Sequence, residues 1–157
     1  MKIQLWSVGK PHEAYVKDGI ADFTNRINKY FTADWHIIPP PKNAASLQED
    51  ALKKAEATTL LNQLQTDDFL VVLDERGKSF TSPQLANFIQ QRANESTKRI
   101  VFLIGGAFGV DSSVTNRANL VWSLSNLVFP HMLVRLILVE QVYRACTILR
   151  NEKYHHV

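Results

Sequence analysis

Ile100-Val101-Phe102-Leu103-Ile104, followed at once by Gly105-Gly106-Ala107-Phe108-Gly109, is the stretch on which the fold reading turns. Five apolar residues stopped by a glycine pair read as a short strand covered on both faces. Runs of the same kind recur at Ile3 to Val8, Trp35 to Ile38, Phe69 to Leu73 and Leu120 to Leu124. Helical spacing fills the gaps between them. Ile20, Phe23, Ile27, Tyr30 and Phe31 mark a first helix, and Ser46-Leu47-Gln48-Glu49 has the spacing of a capping box opening a second, which runs to about Gln65. Ser82 before Pro83 reads as a cap followed by proline at the first helical position, with Leu85, Phe88 and Ile89 as the buried face. A short helix from about Asp111 and a long one from about Met132 to Leu149 complete the series. Strand and helix alternating five times predict an α/β domain, a mostly parallel sheet with helices on both faces.

The chain has 157 residues, 45% hydrophobic and 21% charged, which suits one globular domain over residues 1–157. Its formal net charge is +3, and from Arg117 onward five lysines and arginines face two glutamates, with His131, His155 and His156 in the same third. A locally basic surface suits an anionic partner, RNA foremost. An ordinary solvated helix end accounts for the charge equally well. Cys146 is the single cysteine, so it forms no internal disulfide, and its apolar neighbours predict a buried thiol in a reducing compartment. Met1 to Lys10 is too short an apolar run for a signal peptide, and Arg135 breaks Leu133 to Val139, so the expectation is a cytoplasmic protein without a membrane segment. The last helix is apolar over most of its circumference, which predicts cover from a second subunit, the alternative being a central helix wholly enclosed by its own chain.

Ligands of parallel sheets bind outside the carboxyl ends of the strands. Three exit segments qualify: Asp74 to Lys78, Gly105 to Gly109 and Ser125 to Pro130. Gly105 and Gly106 permit close approach to the backbone, although a structural turn explains them as well. The cluster is not Gly-x-Gly-x-x-Gly and lacks the Lys-Ser/Thr of a phosphate loop, so a dinucleotide or triphosphate is disfavoured. No zinc spacing joins His131 to His155-His156, and no metal is expected. Ser123 and Ser125 lie in Trp-Ser-Leu-Ser rather than Gly-x-Ser-x-Gly, which disfavours a covalent nucleophile.

Leu73-Asp74 with Gly77-Lys78, Ile104-Gly105-Gly106 with Gly109, Trp122-Ser123-Leu124-Ser125, Pro130-His131, Val134-Arg135, Tyr143-Arg144-Ala145 and Tyr154-His155 together resemble the RlmH family. These are SPOUT-class methyltransferases acting on N3 of a pseudouridine in large-subunit ribosomal RNA of the assembled ribosome. The resemblance runs the length of the chain. It implies a C-terminal trefoil knot, a homodimer, and S-adenosylmethionine held against Leu73, Gly105, Leu124, Ser125, Asn126, Leu127, Val128 and Phe129. It places Arg144, Tyr154 and His155 at the RNA and the reacting base. In that setting Arg144 faces the anion left when N3 loses its proton, His155 is a candidate proton acceptor, and Tyr154 is a platform for an unpaired base. The plainer readings are an Arg144–Glu140 helix pair and a Tyr154 that only covers the cofactor. Asn151 stands where the family commonly has glycine, Ala107-Phe108 fill a variable loop, and His156-Val157 replace a short basic end. A noncatalytic RNA-binding or ribosome-assembly module, and a SPOUT enzyme acting on transfer RNA, are the alternatives.

Overall fold

The apolar runs pair side by side as parallel strands in a computed structural model that describes residues 1–156; Val157 lies outside the described residues. The strands are β1 (Lys2–Val8), β2 (Thr32–Ile38), β3 (Phe69–Ser79), β4 (Arg99–Ile104) and β5 (Leu120–Ser123). Their order across the sheet is β2-β1-β4-β3-β5, and every neighbouring pair is parallel. The intervening helices are α1 (Ala14–Ile27), α2 (Glu49–Gln63), α3 (Ser82–Asn94), α4 (Ser112–Arg117) and α5 (His131–Leu149).

Alternate residues of the central strands feed two cores, because side chains of a strand point to opposite faces in turn. Ile3, Leu5, Val71, Ile100 and Phe102 pack with Val16 and Ile20 of α1, Leu85 and Ile89 of α3, and Leu138 and Val142 of α5. On the other face, Trp6, Leu70, Val72, Val101 and Leu103 meet Ala57 and Leu60 of α2 and Val114 of α4. Each fully buried Leu, Ile or Val side chain contributes about 1.5–3 kcal/mol, which makes β4, buried on both sides, the centre of the fold.

Four local expectations need correction. Ser46 does not cap α2: it lies in a short 3-10 turn at Ala44–Ser46, where its hydroxyl donates to the Asn43 carbonyl at 2.8 Å. The residue preceding α2 is Gln48, without a side-chain cap. At α3 the cap is Thr81 rather than Ser82, since Gln84 three residues later closes the reciprocal box, with Thr81 Oγ1 accepting from Gln84 N at 3.2 Å and Gln84 Oε1 from Thr81 N at 2.8 Å. Tyr30 and Phe31 fall beyond α1. Asp74 to Lys78 is not a free loop but belongs to the long β3, which pairs with β5 again at Lys78 and Ser79 after a register shift.

α5 leaves the edge strand β5 and returns to the middle of the molecule, packing on α1, α3 and β4. Arg135, Leu138, Val139, Val142, Ala145 and Cys146 are covered by this chain alone. Leu133, Ile137, Glu140, Arg144 and Ile148 form a half-buried stripe along its remaining side.

Candidate functional site

β4, β3 and β5 are adjacent and parallel, so the segments that leave the carboxyl ends of β4 and β5 meet beside the register shift of β3 at one edge of the sheet. They enclose a cleft of about 550 Å³ bounded by residues 73–76, 104–110 and 124–129, with Lys53 of α2 and His131 and Val134 of α5 at its border. That volume lies within the range of small-molecule sites, about 300–1,000 Å³. Of the eight positions expected to hold a cofactor, Leu73, Gly105, Leu124, Ser125, Leu127, Val128 and Phe129 line the cleft. Asn126 is exposed on the same turn and does not line it.

The glycine wall is bare for packing reasons. A Cβ on Gly105 would stand 2.7 Å from Val110 Cγ1 and 3.1 Å from the Gly109 carbonyl carbon; one on Gly106 would stand 2.8 Å from both carboxylate oxygens of Glu56. Gly109 takes φ +82°, and its N–H donates to the Gly106 carbonyl at 3.0 Å, which closes the turn. On the opposite side Ser125 Oγ accepts from Leu127 N–H at 3.0 Å, and Ser123 Oγ donates to the Ser125 carbonyl at 3.1 Å. This local knitting turns Leu127 and Val128 outward, 69% and 82% exposed. Asp74 accepts from Arg76 at the rim, and that guanidinium holds its carboxyl below the usual carboxylate range.

The three residues expected at the reacting base gather elsewhere. Asn151 adopts φ +54°, the left-handed conformation that asparagine tolerates better than most residues. Asn151 N–H donates to the Ile148 carbonyl and Glu152 N–H to the Thr147 carbonyl, a helix stop that turns the chain back along α5. Tyr154 therefore packs on Tyr143, with ring centres 4.7 Å apart, and lies 4.7 Å beneath the Arg144 guanidinium. Glu140 is the hub that the sequence reading saw only as a helix pair. Its Oε1 accepts from Arg144 Nε at 3.0 Å, from Arg144 Nη2 at 2.5 Å and from the Tyr154 hydroxyl at 3.0 Å. Arg144 Nη1 stands 3.4 Å from His155 Nδ1. Burial and the Glu140 carboxylate raise the Tyr154 phenol, so it remains a donor at neutral pH.

Arg144, Tyr154 and His155 do not line the cleft. From His131 at its border to Arg144 is thirteen helical steps, about 20 Å at 1.5 Å per residue. A second, larger hollow of about 920 Å³ lies at the tail end of α1 and α5, between Arg26, Lys29, Tyr30, Tyr143, Arg150 and Glu152. It has no glycine wall, and its Glu152 and Arg26 are engaged by Tyr30 and Asp22. The smaller cleft is the better candidate for a cofactor.

The family model described as "Predicted SPOUT methyltransferase" matches residues 1–155. The ribosomal RNA large subunit methyltransferase H of Cytophaga hutchinsonii is 45% identical over 156 residues, covering 99% of this chain and 100% of that protein. The protein of the same name from Parabacteroides distasonis is 41% identical over 156 residues, covering 99% of each. Among solved structures, a methylase family protein from Neisseria gonorrhoeae shares the fold, with a TM-score of 0.52 at 14% identity over 99% of this chain and 85% of that one.

Proposed function

The chain belongs to the SPOUT methyltransferase family, and from that premise we propose that it methylates N3 of a pseudouridine in 23S ribosomal RNA of the assembled ribosome, using S-adenosylmethionine. It acts in the cytoplasm as a homodimer of single-domain protomers, each with the C-terminal trefoil knot of the family. One observation carries the dimer: the cleft and the Arg144–Tyr154–His155 group occupy opposite ends of α5, about 20 Å apart, too far for one protomer to bring both to one nucleotide. The half-buried stripe Leu133–Ile137–Glu140–Arg144 joins those two ends, and the exposed Leu127 and Val128 extend it at the cleft. Two copies packed antiparallel along that stripe set the tail of one against the cleft of the other. All five strands in a single sheet support one domain, and the return of α5 from the edge strand to the centre supports the knot.

The residues of the cleft fit a methyl-donor cofactor. Gly105 and Gly106 bring main chain without side chains to the cleft border, and Leu73, Leu124 and Phe129 add apolar walls. S-adenosylmethionine supplies an electrophilic methyl group. The protein has to align that group with the acceptor, exclude water and manage one proton. Glu140 holds Arg144 through Nε and Nη2, which leaves Nη1 clear of the carboxylate and able to face the developing imide anion. His155 Nδ1 faces that same Nη1 at 3.4 Å, which holds the imidazole beside the guanidinium. As Arg144 Nη1 turns to the base, His155 Nδ1 can take the N3 proton while the guanidinium faces the negative charge that develops. Tyr154, kept neutral, offers its ring to the neighbouring base.

Nucleoside mass spectrometry after incubation with methyl-labelled S-adenosylmethionine tests this reading. Ribosomes and transfer RNA are presented separately. Label on a pseudouridine of 23S RNA is expected. Label confined to transfer RNA replaces the substrate, and folded protein that labels neither is a noncatalytic module.

A further inference from the structure

β1 is parallel to β4 and beside it, so the β1–α1 loop, Gly9 to Glu13, emerges at the same edge of the sheet as the cleft. Arg135, one turn beyond His131 on α5, reaches into this loop with only 1% of its surface exposed. Its Nε donates to Ser7 Oγ at 2.9 Å, and Nη1 donates to the Lys10 carbonyl at 2.8 Å and lies 3.2 Å from His12 Nδ1. Nη2 donates to no protein group among the described residues. It lies 3.5 Å from where a Cβ on Gly9 would stand, and Gly9, at φ +136°, is held in a conformation that favours glycine. Arg99, by contrast, is paired with Asp68. Arg135 forms no ion pair among the described residues, and Glu13, the acid that acts on it, does so only at longer range.

A tether between α5 and this loop needs hydrogen-bond donors and not a charge, and a buried charge without a counter-ion is costly. Two further cations belong to the same region, since Lys10 and Lys17 are both exposed and Lys17 is close enough to act on His12. His12 meanwhile stays neutral, with its Nδ1 accepting from the guanidinium and its ring edge-on to Trp35 at 4.9 Å. The arrangement is a fixed guanidinium with one nitrogen left over, beside two exposed lysines.

We propose that the Gly9–His12 loop and Arg135 form a phosphate subsite that takes one backbone phosphate of the substrate RNA next to the methylated nucleotide, through Arg135 Nη2 and the Lys10 ammonium. A polyanionic strand uses the flanking lysines as well as the guanidinium, whereas a single small carboxylate would leave them idle. The inference rests on the ribosomal RNA reading above. It adds a contact that fixes register without reading sequence, placed about one helical turn of α5 from the cleft.

Binding of the full chain to purified large ribosomal subunits over a potassium chloride series tests it, with S-adenosylmethionine affinity measured by calorimetry on the same samples. Arg135→Gln and Lys10→Ala should each reduce the slope of log K against log salt, and together by about 0.7–0.9, the loss of one phosphate contact, with cofactor affinity unchanged. If Arg135→Gln fails to fold, Lys10→Ala decides the matter, because its side chain is exposed and its carbonyl still accepts from Arg135. Unchanged slopes in the folded variants overturn the proposal and leave Arg135 a tether. A drop in cofactor affinity with the slope intact also overturns it and assigns Arg135 Nη2 to a small carboxylate. Wild-type protein that binds no subunits at any salt refutes the substrate reading itself, a result separate from either of these.

Discussion

Replacing Glu140 with alanine removes the carboxylate on which the tail is docked. Its Oε1 receives two Arg144 nitrogens and the Tyr154 hydroxyl, and its Oε2 receives Gln141 Nε2 at 2.9 Å. The Arg144 and Glu140 side chains are 25% and 19% exposed, so the pair falls between two limits. An exposed helix pair contributes about 0.3–0.5 kcal/mol, whereas breaking a buried one costs about 3–5 kcal/mol. With about 1 kcal/mol for the Tyr154 hydrogen bond, a loss of about 2 kcal/mol is expected, or about 4–8 °C in Tm for a chain of this length. The functional loss is larger than the stability loss. Freed of Glu140, Arg144 and Tyr154 no longer hold one geometry, and methylation of ribosomes should fall by about 100-fold while cofactor affinity stays within about twofold. Glu140→Gln keeps an acceptor for Arg144 and Tyr154 and should lie between wild type and alanine. The assays are thermal melting, calorimetry with S-adenosylmethionine and transfer of labelled methyl to large subunits. A Glu140→Ala protein that shows the expected Tm loss yet methylates at the wild-type rate would refute the role given to the docked tail.

Other perturbations separate the two halves of the site. Gly105→Ala, whose Cβ would press on Val110 and the Gly109 backbone, should weaken cofactor binding by about tenfold or more while the fold survives, as calorimetry and melting will report. Removing residues 154–157 should leave cofactor affinity intact and abolish RNA methylation; equal turnover in the truncated chain would remove the tail from the mechanism. Burial first, then Arg135 and Lys17, depress the His12 pKa below 6.5. Its contribution to stability is therefore present above 6.5 and lost as pH falls through the depressed value. Urea unfolding of wild type should lose more stability than His12→Asn between about pH 7.5 and about pH 5, and parallel losses would contradict the buried neutral histidine.

The sheet was legible because each strand is an apolar run and each helix repeats its apolar residues at helical spacing. The cleft was legible too, since Gly105-Gly106 and the Ser125 turn follow two of those strands directly. Less accessible was whatever depends on partners distant in sequence. The polar residues 74–78 carry no apolar alternation, and they join β3 only because Trp122 and Ser123 offer a pairing edge. Thr81 and Ser82 are equally suitable hydroxyl caps, and the side chain of Gln84 chooses between them. Glu140 has correct spacing for Arg144, but nothing in the sequence says that the stop at Asn151 returns Tyr154 to it. Arg135 is hidden for the opposite reason: a lone arginine on an apolar helix reads as a break in a stripe, and its acceptors Ser7 and Lys10 lie more than a hundred residues earlier.

The central claim is that the cleft of one copy works with the Arg144, Tyr154 and His155 of another, and mixing two disabled proteins tests it directly. Gly105→Ala has an impaired cleft and Arg144→Ala an impaired tail, so at cofactor concentrations well below what the Gly105→Ala cleft needs each alone should methylate ribosomes poorly. Refolded together in equal amounts they should form mixed dimers in half the population, each with one intact site of two, and recover about one quarter of wild-type activity. A mixture that forms mixed dimers yet stays as inactive as its components would contradict the shared site.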